Sequence, residues 1–341
     1  MSQKKKVKLE DIAKEMGVSI VTVSNALNGR KGVGEELREE IKQVAKQLGY
    51  LGIDREAKKH QPSYIIGVLV AERYVKEFPS FYMDIYKLIA HEVAKKGHLT
   101  VLEVVTYQKE NLQIQFEPFL EKKLAGLMVI GELKREYIEI IRKHYKVPIV
   151  CVDYYDVYED IDYIITDGFG GMEQMTELLL EQGYRNLAFV GTPTATKNIM
   201  DRYQGYCKAL EKVGEKVSQK NIINDRDFLN GDYRIDFELS EILPEAFVCN
   251  CDKTASLLLE KLEERGVQVP KDVSVVSFDN YYSQKNEDIK LTTYENDQKV
   301  IVKISLNTLL KRISNKKKRP SVRIIGGSIV KGNTVKLGGD K

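Results

Sequence analysis

The sequence predicts an α/β protein in which a three-helix, helix-turn-helix headpiece precedes a larger region of doubly wound parallel sheets. Three observations carry this prediction. Apolar residues at helical spacing fill the first fifty positions, and excess positive charge is confined to the first sixty. From Tyr64 onward, continuous apolar runs alternate with amphipathic helices. Such runs mark strands buried on both faces, and their alternation with helices marks parallel pairing.

The first helix lies in L-E-D-I-A-K-E-M, where Leu9, Ile12, Ala13 and Met16 recur on one face. Gly17 ends it, since glycine takes a left-handed cap without strain. Ser19 is a good N-cap for a second helix, I-V-T-V-S-N-A-L-N. Val23, Ala26 and Leu27 face its interior side, leaving Ile20, Val21, Thr22 and Asn25 outward. A third helix from about Glu35 to Leu48 carries the stripe Leu37, Ile41, Val44, Ala45 and Leu48. Two short helices across a tight turn, braced by a third, form a unit whose second helix can enter a major groove.

Charge agrees with that placement. Residues 1–60 hold 13 Lys/Arg against 9 Asp/Glu, while the rest of the chain holds 40 against 41. A polyanionic partner is therefore expected for the N-terminal segment alone.

The stretch L-E-D-I-A-K-E-M-G-V-S, then T-V-S, Asn28, Val33, Arg38 and L-G-Y ending at Tyr50, closely resembles the headpiece of the lactose and purine repressor family. That resemblance implies a cytoplasmic transcription regulator bound as a homodimer to a pseudo-palindromic double-stranded operator. It places Ile20, Val21 and Asn25 at base-reading positions, and Leu9, Ser19, Thr22, Ser24, Asn28 and Tyr50 at further DNA contacts. Ile20 and Val21 cannot hydrogen-bond, so thymine methyl groups are their natural targets, with Asn25 the polar reader. Packing inside the headpiece is the alternative for both.

After Tyr50 the chain departs from the family. L-G-I-D-R-E-A-K-K-H-Q-P puts Gly52 where proline is common and Lys59 where a wedging leucine is expected. An apolar wedge unstacks a base step, which lysine cannot do. Lys58 and Lys59 are instead expected at phosphates or in a narrow minor groove. The resulting domain plan is a headpiece over 1–50, a hinge over 51–62 and a core over 63–341.

Core strands are read at I-I-G-V-L-V (from Ile65), L-T-V-L-E-V (from Leu99), G-L-M-V-I (from Gly126) and P-I-V-C-V-D (from Pro148). Others are Y-I-I-T-D, N-L-A-F-V-G, A-F-V-C-N and V-S-V-V-S-F-D. D-G-F-G-G at Asp167, D-R-Y-Q-G-Y at Asp201 and P-K-D-V-S-V-V-S-F-D at Pro270 resemble the family's effector core, which is two-lobed and built like a periplasmic sugar-binding protein. The resemblance implies one lobe over about 63–164 and 293–324. The other then covers about 165–292 and 325–338, with crossings near 165, 292 and 325.

Ligands of open α/β sheets sit at strand carboxyl ends. Those ends offer Glu72, Arg73 and Tyr74, then Asp153, Tyr154 and Tyr155, then Asp279, Asn280, Tyr281 and Tyr282. Carboxylates accept hydrogen bonds from hydroxyls and tyrosine faces cover apolar sugar surfaces, and the chain has no tryptophan. The resemblance adds Arg202, Asp279 and Asp252 as effector contacts, with Phe81 and Tyr82 lining the cleft. Helix capping is the alternative for Asp252 and Asp167, and exposed loop or dimer contact for Tyr155 and Tyr282. The expected effector is a sugar or sugar derivative.

Other classes fit poorly. The chain lacks a phosphate-cradling G-x-x-x-x-G-K-[ST], a G-x-S-x-G and an H-E-x-x-H, so no enzyme, cofactor or metal is expected. His60, His91, His98 and His144 read as solvated surface residues, and Cys151, Cys207, Cys249 and Cys251 as structural thiols. No apolar run reaches the roughly 18 residues of a membrane span. The competing reading is a cytosolic sugar sensor without direct DNA recognition.

Overall fold

The computed structural model describes residues 7–27, 30, 32–50, 63–76, 80–117, 123–156, 158–227, 232–234, 236–281, 288–315 and 317–336. They form two compact units, Met1–Tyr64 and Ile65–Lys341.

In the first unit, α1 (Leu9–Met16), α2 (Ile20–Leu27) and α3 (Glu35–Gln47) surround a small core of Ile12, Ala13, Val23, Ala26, Ile41 and Ala45. Local chemistry sets the helix ends. Lys8 N donates to Asp11 Oδ2 at 2.7 Å, and Gly17 closes α1 at φ 63°. Ser19 Oγ accepts from Thr22 N at 3.0 Å, satisfying an otherwise orphaned donor of α2. The Arg38 guanidinium of α3 donates to the carbonyls of Ala26, Arg30 and Val33, tying the loop after α2 to α3. The α3 helix ends at Gln47, and Leu48 turns outward at 38 % exposure instead of joining the apolar stripe.

The second unit holds two six-stranded sheets. The first runs β11-β5-β4-β3-β1-β2, all parallel, from β1 (Ile65–Ala71), β2 (Leu99–Val105), β3 (Gly126–Ile130), β4 (Ile149–Val152), β5 (Asp162–Thr166) and β11 (Val322–Ile325). The second runs β12-β10-β9-β8-β6-β7, from β6 (Leu187–Val190), β7 (Ile222–Ile223), β8 (Ala246–Cys249), β9 (Ser274–Asp279), β10 (Thr292–Glu295) and β12 (Ser328–Val330). Only β12 is antiparallel to its neighbour. The chain passes between sheets after Thr166, after Glu295 and between Ile325 and Ser328. The second passage follows β10, a few residues beyond the position near 292 read from sequence, because β10 still pairs with β9.

Helices cover the sheets. In the first lobe these are α4 (Phe81–Lys95), the short α5 (Tyr107–Glu110), α6 (Arg135–Tyr145) and α10 (Gln298–Ser314), and α10 packs on β3, β4, β5 and α4. In the second lobe they are α7 (Gly168–Glu181), α8 (Lys197–Lys212) and α9 (Asp252–Glu264). The crossing of α7 and α8 is tight at Gly205, where an added Cβ would lie 2.2 Å from the Phe169 carbonyl oxygen. That contact explains the glycine of D-R-Y-Q-G-Y. Between β7 and β8 the alternation breaks: no helix occurs among the described residues, and Phe237 and Leu239 fill the core in its place.

Candidate functional site

Two surfaces gather the residues singled out in the sequence. On the headpiece, α2 presents Ile20 at 46 % and Val21 at 66 % exposure, beside exposed Ser19 and partly exposed Thr22, Ser24 and Asn25. Val23 and Ala26 occupy the opposite, buried face. Ile20 and Val21 therefore stand outside the headpiece core that was their alternative. Leu9 and Tyr50 pack partly buried against that core. Asn28, Lys58, Lys59 and His60 lie outside the described residues.

The second surface is a cleft between the lobes, at the carboxyl ends of strands from both sheets. Its inner cavity, about 170 Å³, is lined by eight of the ten proposed effector residues: Arg73, Phe81, Tyr82, Asp153, Arg202, Asp252, Asp279 and Tyr281. Glu72 and Tyr154 do not line it but border the adjoining cavity of about 740 Å³. Glu72 caps the start of α5 by accepting from Tyr107 N at 3.3 Å. Tyr154 is buried in the first lobe, its hydroxyl accepting from Cys151 Sγ at 3.2 Å.

Two carboxylates and one guanidinium organise the cavity floor. Arg202 projects from α8 and is 6 % exposed. It donates to the Asn250 carbonyl at 2.7 Å and to Asp279 Oδ1 at 3.0 Å, while its guanidinium lies 4.1 Å from the Phe278 ring centroid. Its Nε is buried without a hydrogen-bond partner. Asn296 donates to the same Asp279 oxygen at 3.1 Å. Burial pushes Asp279 up to about 7 against the pull of Arg202. Across the cleft, Asp153 Oδ2 accepts from the Tyr82 hydroxyl at 2.8 Å and Oδ1 from Thr166 at 3.1 Å. Burial raises Asp153 too, opposed by Arg202 and those hydroxyl donors.

Both carboxylates sit on strained backbone just past or at a strand end, Asp153 at φ 65° and Asp279 at φ 107°. Left-handed backbone is costly for these residues and concentrates at functional sites. It turns each side chain out of its sheet toward the cleft.

Contacts across the cleft hold the lobes together. The Tyr281 hydroxyl donates to Asp84 Oδ2 at 2.7 Å, Lys197 N to Glu132 Oε2 at 3.1 Å, and Asn198 Nδ2 to the Asp153 carbonyl at 2.6 Å. Phe81 meets Tyr281 edge-on, with ring centroids 5.3 Å apart.

The structure corrects several sequence readings. Asp252 is not the cap of α9, since Cys251 holds that position. Instead its Oδ1 accepts from Ser277 and Thr293, and its Oδ2 from Tyr281 N at 2.8 Å, so it braces the β9 loop beneath the cavity. Asp167 does cap α7, accepting from Gly170 N at 2.8 Å. His98 is not solvated: it is 5 % exposed and burial lowers its pKa. Arg73, read from sequence as a free charge at a strand end, is paired with buried Glu110.

Sequence reasoning missed Arg226, Tyr233, Asn198, Glu132 and Cys251 as cavity residues. Arg226 follows the two-residue strand β7, too short to register as an apolar run. It donates to the Tyr233 hydroxyl at 2.9 Å and lies beside Asp225. Asp225 is fully buried, accepting from Thr192 N, Asn250 and Thr254.

Comparison with known proteins separates the same two parts. Residues 8–52 match the family described as bacterial regulatory proteins, lacI family, and residues 176–335 match the periplasmic binding protein-like domain. Among curated proteins, the chain is 26 % identical over 318 residues to the HTH-type transcriptional repressor PurR of Glaesserella parasuis serovar 5, covering 92 % of each. It is 26 % identical over 322 residues to PurR of Escherichia fergusonii, again covering 92 % of each. Among solved structures, the transcriptional regulator CelR–cellobiose complex superposes with a TM-score of 0.68 at 22 % identity, over 96 % of this chain and 100 % of that one. The lac repressor dimer bound to operator and the anti-inducer ONPF gives 0.64 at 21 % identity, over 97 % and 99 %.

Proposed function

We infer that this chain belongs to the lacI family of bacterial regulatory proteins, and from that premise that it is a sequence-specific DNA-binding transcription regulator controlled by a small molecule. The observation that carries the reading is one chain holding both an exposed apolar reading face on α2 and a polar, two-lobed cleft.

Each half supplies one function. On DNA, Ile20 and Val21 meet thymine methyl groups and Asn25 a base edge. Leu9, Ser19, Thr22, Ser24 and Tyr50 hold the phosphate backbone through main chain or hydroxyls, joined by Asn28, Lys58 and Lys59. One headpiece covers little surface, so a homodimer on a two-fold operator is required for specific binding. In the cleft, Asp153 and Asp279 accept hydroxyl protons, Arg202 donates, and Phe81 and Tyr281 cover apolar ring faces. That donor set suits a sugar, and repression released or enforced by a sugar is the activity proposed. The regulator works in the cytoplasm, where its DNA is, and no helix among the described residues is long and apolar enough to cross a membrane.

Selection of bound duplexes from a random pool, followed by a salt titration of the best site, tests this reading. The expected result is a two-fold symmetric site with affinity falling steeply as salt rises. Recovery of no motif would favour a sugar sensor without DNA contact.

A further inference from the structure

Averaged over residues 61–341, charge is balanced, at 40 Lys/Arg against 41 Asp/Glu. One stretch breaks that balance. Residues 311–323, K-R-I-S-N-K-K-K-R-P-S-V-R, hold seven basic side chains and no acidic one, so the remainder carries 33 against 41. The stretch joins the end of α10 to β11.

Its backbone is fixed while its charges face solvent. Arg312 is 9 % exposed and turns inward, donating to the carbonyls of Lys318 at 2.6 Å and Asp160 at 3.2 Å. Fully buried Asp162 accepts from Ser321 N at 2.9 Å and from the Ser321 hydroxyl at 3.1 Å. Lys311, Lys317, Arg319 and Arg323 stand exposed, and Lys318 is half-buried. Among the described residues none of these five pairs with a carboxylate, whereas Lys87, Lys95, Lys143 and Lys212 elsewhere on the core all do. In the adjoining loop before β5, Asp160 is already held by Arg142, which leaves Glu159 against five cations. A helix C-terminus attracts cations, but that explains Lys311 alone, since the other four lie beyond Ser314.

Position points to the partner. The strands of the first sheet are all parallel, so their carboxyl ends face the cleft and this loop lies at the opposite end. The chain arriving from the headpiece enters the core at that same end, at Ile65 of β1. Three strands separate β11 from β1, which puts the loop about 20 Å from that entry. Residues 51–62 span at most about 40 Å. A duplex held by residues 1–50 is therefore presented to the core at high local concentration. Lysine is a point charge that meets phosphate without choosing a base.

We propose that this end of the first lobe is a second DNA-binding surface, where Lys311, Lys317, Lys318, Arg319 and Arg323 contact backbone phosphates without selecting sequence. This rests on the reading of residues 1–50 as a DNA-binding headpiece. The surface adds affinity and salt dependence, and the headpiece alone chooses the site.

The test compares the full chain with a variant combining Lys317→Ala, Lys318→Ala and Arg319→Ala, which leaves Arg312 and Asp162 in place. A control combines Lys216→Ala, Lys220→Ala and Lys271→Ala, the same charge change on exposed positions of the second lobe. Binding to the selected duplex and to a random duplex is titrated across salt concentrations, with circular dichroism to check folding. The loop variant is expected to bind both duplexes about 10-fold more weakly at about 0.1 M salt, with the salt slope smaller by at least about 2. The ratio between the two duplexes should be unchanged, and the control should match the unmodified protein. Unaltered affinity and slope in the loop variant overturn the proposal and leave an acidic protein as the partner for this face. Equal losses in both variants overturn it too, because net charge then accounts for the effect. If the unmodified protein binds no duplex, the headpiece reading falls with it.

Discussion

Replacing Ile20 and Val21 together by alanine is expected to weaken binding to the selected operator by about three orders of magnitude, with non-specific binding unchanged. Both side chains project from α2 away from the headpiece core, so their removal leaves Ile12, Val23 and Ile41 packed as before. Each lost base contact costs on the order of 1 kcal/mol, at the low end for direct readout. Two contacts in each of two half-sites then give about 4 kcal/mol, or about 10³ in affinity. Circular dichroism checks that the variant is folded. The decisive comparison uses DNA in which uracil replaces thymine, which removes only the methyl group. The unmodified protein should lose affinity on that DNA and the double variant should not. Equal losses by both proteins would show that the two side chains do not read methyl groups.

Arg202→Met is expected to abolish effector binding and to destabilise the core by about 3–5 kcal/mol, the usual cost of stranding a buried charge. Asp279 and Asp153 both face that guanidinium, and methionine offers neither a donor nor a charge. The loss should depend on pH in a defined direction. Burial raises Asp279 to about 7, so the folded core holds its proton more tightly than the unfolded chain does. That contribution is complete below about pH 4 and is lost as pH rises through about 7. Without Arg202 the folded value moves higher still. The gap in Tm between the two proteins should therefore widen from about pH 5 to about pH 8. Adding Asp279→Asn should restore most of the stability but none of the binding. A gap that narrows with rising pH would contradict this account of the cavity floor.

Much of the fold was legible because its signals are local. All eight strands read from apolar runs are present, and Gly17 and Ser19 cap the helices they were assigned to. Four strands were passed over: β7 and β12 have two and three residues, β11 is an edge strand whose Val322 and Ile324 face outward at 57 % and 62 % exposure, and buried β10 reads T-T-Y-E, too polar to form an apolar run. Short edge strands carry little hydrophobic pattern. The link before β8, whose described residues form no helix, was equally invisible, since Phe237 and Leu239 resemble any loop apolars until their burial is known.

The cleft was legible where a residue ends or follows a strong strand, as Asp279 and Asp153 do. It was not legible where tertiary contacts decide. Nothing local shows that Asp252 braces the β9 loop or that Tyr154 turns into the lobe core. Arg226 and Tyr233 reach the cavity from a segment without strand or helix pattern, and only the folded chain brings them to Cys251.

The central claim is that DNA recognition resides in the headpiece and ligand recognition in the core of one regulator. Its most direct test compares the full chain with one lacking residues 1–62, on the selected duplex and in ligand titrations. The account predicts that truncation removes specific DNA binding, a loss of at least about 10³, and leaves saccharide affinity unchanged. Specific DNA binding that survives truncation, or saccharide binding that disappears with it, would contradict the account.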